Sequence, residues 1–313
     1  MRYLKDVREG EMFSEIYLCK SKQTLQTKAG KNYYSLILQD KSGTADGKVW
    51  DLGLGIEHFE AMDYIKVDVQ VVSFQGALQL NIRRARRCQE GEYDPKEYMP
   101  CTDKDVKEMY QELTCYIKSL KNEYLRKLAE SYFLENKETA KAFCNHSAAK
   151  AVHHGFMGGL LEHTVSVTRL CDYIAKNYPI INRDLLLTAA MFHDVGKVKE
   201  LSTFPENDYT DAGQLLGHIY IGAELLGKMI AEIPGFPEKL RNELLHCILA
   251  HHGELEFGSP KKPAIVEALA LSQADNLDAK LQSMKELLNG TDDKGWLGFQ
   301  RLFDSNVRKT GEY

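Results

Sequence analysis

At 313 residues, with 43% hydrophobic and 27% charged side chains, the chain is expected to form two domains with at least one sizeable core, and disorder is excluded. A net charge of -5 does not mark a nucleic-acid binder as a whole. The charge is uneven, since residues 1–88 hold 14 Lys and Arg against 11 Asp and Glu, while the remainder holds 26 against 34, so a polyanion surface is expected at the N-terminal end and a cation site in the acidic part.

The opening "MRYLKDVREGEMF" is too polar for a secretory signal, and no apolar run reaches the ~18 residues of a membrane span. A cytoplasmic protein without a membrane partner is expected. The first 88 residues read as strands. "NYYSLILQD" (32–40), "YIKVDVQVVSF" (64–74) and "ALQLNIRRARR" (77–87) are rich in β-branched and aromatic residues, and "DKSGTADGKVW" between the first two has hairpin turn chemistry. Roughly five strands, interrupted near "GIEHFEAM", suit a small OB-type barrel.

"QEGEYDPKEYMP" carries Pro95 and Pro100, and residues 89–102 read as a linker. From 103 to 313 an all-α bundle is expected. A first helix, capped by Thr102 or Asp103, spaces Val106, Met109, Leu113, Ile117 and Leu120 three or four apart. Further helices are expected at about 158–177, 183–194, 216–232, 238–252 and 264–288.

Polar groups continue the apolar stripes of these helices. His163 shares a face with Val167, Leu170 and Ile174; His193 follows Leu186 and Ala190; His251 follows Leu244 and Ile248; Asp275 follows Ala268 and Leu271. Any one of them has the ordinary reading of a core group bonded to a backbone carbonyl. Several on successive helices point instead to a shared ligand, because buried imidazoles and carboxylates must be paired or bind something. The seven cysteines include no C-x-x-C pair and read as reduced thiols. Imidazole and carboxylate without thiolate suit Mn, Fe, Zn or Mg, and a bridging carboxylate can hold two such ions ~3.5 to 4 Å apart.

The order His163, His193 with Asp194, His218, His251 with His252, and Asp275 resembles the HD phosphohydrolase superfamily over about residues 150–280. "KAVHHGFMGGLLEHT", "HDVGKVKEL", "LLGHI", "LAHHGELEFGSPKKP" and "QADNLDAK", behind an OB-like domain, look like the YhaM-type 3′ to 5′ exoribonucleases across nearly the whole chain. The resemblance implies an OB-fold barrel followed by a helical HD domain, and hydrolysis of single-stranded RNA to nucleoside 5′-monophosphates by metal-activated water. It implies two divalent ions, manganese first, with Asp194 bridging them. His163, His193 and Asp275 would complete one site and His218, His251 and His252 the other.

Lys197, three residues after Asp194, is a candidate catalytic cation on the scissile phosphate, or a solvated lysine favoured by a helix C-terminus. His153 and His154 precede the first ligand helix and are candidates to touch the substrate or to serve the structure. "GSPKKP" (258–263) is a candidate rim. On the barrel, Tyr33 and Trp50 are candidate stacking rings, and Arg83, Arg84, Arg86 and Arg87 candidate phosphate partners, with Lys22, Lys28, Lys31 and Lys48 as further cations. Strand alternation sends Tyr33 and Tyr34 to opposite faces and spreads the four arginines over both. Single-stranded DNA as substrate and a homo-oligomeric state stay open. So do two other functions: an HD phosphodiesterase or phosphatase acting on a small nucleotide, and a non-catalytic single-strand binder.

Overall fold

The computed structural model describes residues 1–311 apart from 54, 75, 151–153 and 290–294. It divides into two compact units, Met1–Cys101 with Phe204–Glu206, and Thr102–Thr203 with Asn207–Tyr313.

The first unit is a closed five-stranded barrel of β1 (Met12–Gln26), β2 (Asn32–Asp40), β3 (Gly43–Val49), β4 (Tyr64–Phe74) and β5 (Ala77–Arg87), in the order β1-β2-β3-β5-β4. One long strand closes it: β1 pairs with β4 through Met12–Leu18 and with β2 through Leu18–Gln26, while β3 and β5 pair in parallel. That strand order assigns the OB-type fold. Alternation turns Ile65, Val67, Val69 and Val71 of β4 inward, onto Tyr17, Leu36, Leu38 and Phe59. Each such burial contributes about 1.5–3 kcal/mol before chain entropy is counted. The stretch read as a hairpin turn holds all of β3, leaving only Lys41 and Ser42 between it and β2.

On β5 the register against β4 slips between Asp68 and Val69, because Ile82 faces Val69 and Arg84 faces Asp68, so Arg83 is an extra residue. The bulge changes the parity of the strand. Leu80, Ile82 and Ala85 all stay in the core, and Arg83 and Arg84 both reach the surface.

Residues 89–101, read from the sequence as most of a linker, belong to the barrel's unit. Tyr98 and Met99 are buried, and Tyr93 stacks on Tyr64 at 3.7 Å between ring centroids. Polarity and two prolines mark this stretch as irregular, but its aromatic residues still need cover.

The second unit contains α1 (Val106–Ser119), α2 (Glu123–Glu130), α3 (Lys137–Asn145), α4 (Gly159–Asn177), α5 (Arg183–Phe192), α6 (Lys197–Glu200), α7 (Asp211–Ala231), α8 (Glu238–Leu249) and α9 (Val266–Asn289). The cap of α1 is Asp105, whose carboxylate accepts from the Lys107 and Glu108 amides; Thr102 instead donates its hydroxyl to Glu162. Helices α4 and α5 form the centre, packed on each other and on α9. The unit is not wholly helical: β6 (Trp296–Gln300) and β7 (Ser305–Arg308) form an antiparallel hairpin. No helix among the described residues is long and apolar enough to cross a membrane.

Candidate metal centre

Five elements deliver the ligand-type side chains. His163 lies on α4, His193 and Asp194 in the turn that ends α5, His218 on α7, His251 and His252 in the turn after α8, and Asp275 on α9. The phases expected from the stripes are met, because His163, His193 and His251 are 2%, 0% and 0% exposed.

Two glycines bring these elements together. A Cβ on Gly196, two residues after Asp194, would lie 2.0 Å from the His218 carbonyl oxygen, so only glycine lets α7 approach the His-Asp turn this closely. Gly217 has φ of 73°, a conformation side-chain-bearing residues rarely adopt, and it kinks α7 immediately before His218.

The tautomers are fixed by acceptors behind the rings. Nδ1 of His193 meets the Ala190 carbonyl at 2.8 Å, that of His251 the Ile248 carbonyl at 2.7 Å, and that of His252 the Phe257 carbonyl at 2.7 Å. Nδ1 of His163 meets Asp278 Oδ2 at 2.7 Å and that of His218 meets Glu200 Oε1 at 3.0 Å. Each Nδ1 therefore carries a hydrogen and donates it, and Nε2 of the neutral ring is left as a lone pair aimed inward.

Those lone pairs gather in two groups. Donor atoms of His163, His193 and Asp275 lie within 4.8 Å of one another, and so do those of His218, His251 and His252. Asp194 stands between them. Its Oδ2 is 3.5 Å from His163 Nε2 and 3.3 Å from His193 Nε2, while its Oδ1 is 3.5 Å from His218 Nε2 and 3.8 Å from His251 Nε2. Asp194 Oδ1, His218 Nε2 and His251 Nε2 are buried without a hydrogen-bond partner. Leaving such atoms unsatisfied costs about 1–3 kcal/mol each. His163 Nε2 also faces His193 Nε2 at 3.2 Å, two lone pairs opposed unless a proton or a cation lies between them. An all-nitrogen and oxygen donor set with orphaned lone pairs fits divalent cations.

The electrostatics agree. Burial alone would raise the Asp194 carboxyl, but the Lys197 ammonium, 2.7 Å from Oδ2, and the His193 ring hold it well below the usual carboxylate range. Burial would likewise raise Asp275, and His163 and His193 hold it down. His163 is pushed up to about 10, since burial is outweighed by Asp275 and Asp278. In a cation-free centre its proton fills the place of a positive ion. Burial, His252 and His193 press His251 well below the ordinary imidazole value, so its lone pair stays free. Lys197 is raised by Asp194 against its burial and keeps its charge.

Other expected positions fall differently. His154 is buried, with Nε2 3.1 Å from Asp278, so it stands behind His163 and does not face a substrate. His153 lies outside the described residues. His154, His163 and Asp278 form a third group of ligand type, but Asp278 is already saturated by the two rings and the Ser166 hydroxyl. Lys262 from "GSPKKP" pairs with Glu254 at 2.5 Å and lines a cavity beside the centre. The sequence reading missed Asp278 and Glu200. A second acid one helical turn after Asp275 is the signal that marks Asp278; Glu200 has no comparable periodic mark.

On the barrel, Tyr33 stacks on Trp50 at 4.6 Å, and Trp50 is 44% exposed, whereas Tyr34 turns towards Phe59. Arg83, Arg84 and Arg86 line one surface cavity with Lys66, so the bulge adds Arg83 to the face that Arg84 and Arg86 share by alternation, and Arg87 stays off it. Arg86 pairs with Glu92 at 2.6 Å and Arg87 with Asp63 at 3.0 Å. Lys22 donates to the Phe59 carbonyl and Lys48 pairs with Asp46, so neither is a free surface cation.

Comparison with known proteins adds an independent finding. Residues 160–280 match the HD domain family. The chain is 36% identical over 290 residues to a protein named 3′-5′ exoribonuclease YhaM from Listeria innocua, covering 92% of this chain and 91% of that one. It is 37% identical over 281 residues to the protein of the same name from Bacillus subtilis, covering 89% and 88%. A solved structure, the second OB-fold domain of replication protein A from Methanococcus maripaludis, aligns with 29% of this chain and 98% of its own at 14% identity and a TM-score of 0.24. That score is too low to bear on the barrel, which its own strand order assigns.

Proposed function

Because the chain belongs to the family of the YhaM 3′-5′ exoribonucleases and carries an HD domain, we propose that it is a metal-dependent exoribonuclease that shortens single-stranded RNA from the 3′ end and releases nucleoside 5′-monophosphates. The observation that carries this reading is the convergence of Nε2 lone pairs on the two oxygens of Asp194. His163, His193, Asp275 and Asp194 Oδ2 would hold one ion, and His218, His251, His252 and Asp194 Oδ1 a second. Manganese is the first choice, with Mg, Fe or Zn as alternatives. Divalent ions there supply Lewis-acid charge, which acidifies water and relieves the negative charge of the phosphate.

The chain's own groups do the rest. Asp194 holds Lys197 at 2.7 Å, and Lys197 lines the cavity beside the centre, so its ammonium would meet a scissile phosphate bound there. A fixed cation there acts most strongly where charge develops in the transition state. Glu200 and Asp278 keep His218 and His163 in their donor tautomers. The barrel adds affinity for the strand, with Tyr33 and Trp50 as a stacking platform and Arg83, Arg84 and Arg86 as phosphate partners.

Purified protein with Mn²⁺ or Mg²⁺, given 5′-labelled single-stranded RNA and DNA, is expected to produce a ladder shortening from the 3′ end of RNA, stopped by EDTA. Internal cuts, or shortening from the 5′ end, would overturn the reading. Hydrolysis confined to free nucleotides would favour the small-nucleotide phosphodiesterase instead.

A further inference from the structure

Beside the metal centre is a cavity of about 650 Å³, lined near the centre by Lys197, His252 and Asp275 and farther out by Phe257, Gln273 and Asn276. Its size falls in the range of about 300–1,000 Å³ typical of small-molecule sites. Phe257 is 63% exposed, so its ring is open to a partner in the cavity it lines. Its backbone is nevertheless fixed. The Phe257 carbonyl accepts from His252 Nδ1 at 2.7 Å, its amide reaches the Glu254 carbonyl at 3.2 Å, and Gly258, with φ of 92°, closes the turn. The ring is thus set beside His252 without being used in the core. Gln273 and Asn276 flank Asp275 on exposed positions of α9, and neither amide has a hydrogen-bond partner among the described residues.

Resting on the exoribonuclease reading, we propose that this cavity seats the 3′-terminal nucleoside, with its base stacked on Phe257 and its ribose hydroxyls bonded by the amides of Gln273 and Asn276. The chemistry demands such a seat. Water adds to phosphorus, the bond to the penultimate 3′ oxygen breaks, and that oxygen leaves with a proton. The terminal residue therefore departs with the phosphate on its own 5′ oxygen. The nucleoside that leaves is the one bonded to the scissile phosphate, and it has to lie against the centre during the reaction. A stacking ring accepts any base, and an amide can both donate to and accept from a ribose hydroxyl.

Two small phosphodiesters test this in the full chain: the p-nitrophenyl ester of adenosine 5′-monophosphate, and methyl p-nitrophenyl phosphate, which has no nucleoside. The wild type is expected to prefer the adenosine ester in kcat/KM. Phe257→Ala should shrink that preference about tenfold, chiefly through KM, the scale expected for one lost base stack. Phe257→Tyr should keep the preference, and Asn276→Ala should reduce the preference for the ribonucleoside ester over its 2′-deoxy analogue. If Phe257→Ala does not fold, Phe257→Leu removes the ring with less loss of bulk and gives the same readout. An unchanged preference in the ringless variant, while the wild type still shortens RNA, overturns the seat alone. Failure of the wild type to shorten RNA overturns the activity on which the seat rests.

Discussion

Asp194 touches both donor groups and Lys197, so its removal acts on the whole centre at once. Asp194→Asn keeps the shape and removes the charge. It is expected to lower hydrolysis by more than the ~10–100-fold typical of losing a group that only orients a ligand, and to lower bound metal in elemental analysis with the helical dichroism retained. Full activity would show that Asp194 is not a ligand. His163 carries a second prediction. With its pKa raised to about 10 in the cation-free centre, the ring holds a proton below that pH, and an ion must displace it. Metal affinity should then rise by about tenfold per pH unit in the neutral range and flatten near pH 10. Calorimetry in buffers of different protonation enthalpy should register a released proton, and its absence would mean the ring is already neutral. The ligand-type histidines were legible because the helical period places them on apolar stripes. Asp278 and Glu200 were not, because a carboxylate that orients a ring from behind can come from any element that happens to pass there.

Among the elements, the turn after α5 is the most constrained. Gly196→Ala would force a Cβ to within 2.0 Å of the His218 carbonyl, so α7 must move away. The expected result is loss of activity together with a lowered melting temperature, whereas a merely flexible glycine would cost about 1 kcal/mol or less. The β5 bulge carries a different expectation. It sets Arg83, Arg84 and Arg86 on one surface, Arg86 paired there with Glu92, and leaves Arg87 off that surface, on Asp63. Replacing the first three by Ala should flatten the logarithmic salt dependence of RNA binding by up to about 2, at ~0.7 per phosphate contact, and Arg87→Ala should leave the slope alone. Identical slopes for the triple variant and the wild type would remove this patch from the RNA path. Alternation predicted β2, β4 and β5 well, since each has one face in the core. It could not predict the bulge, because an inserted residue leaves no mark in composition. Helices α2 and α3 and the β6–β7 hairpin also escaped, being short segments whose periodic signal is weak.

At the scale of the whole molecule, the boundary between the units falls between Cys101 and Thr102. A chain beginning at Thr102 is expected to keep hydrolysis of methyl p-nitrophenyl phosphate while losing affinity for long RNA. One beginning at Gln89 should elute as larger species in size exclusion, because Tyr98 and Met99 lose the cover of the barrel. Loss of both activities in a folded truncation would mean that the barrel takes part in catalysis. Two units, one β and one mainly α, were legible from the change of period near residue 88 and the helical start expected at 103, one residue from the observed boundary; that residues 89–101 belong with the barrel was not, because polar composition hid a segment anchored by tyrosines. The spacing of the ligand-type residues has one more consequence, in the time order of synthesis. On the ribosome the barrel emerges first, and 112 residues separate His163 from Asp275. A nascent chain can therefore complete the barrel well before its ligand set can close, because Asp275 joins His163 only after α9 has left the tunnel.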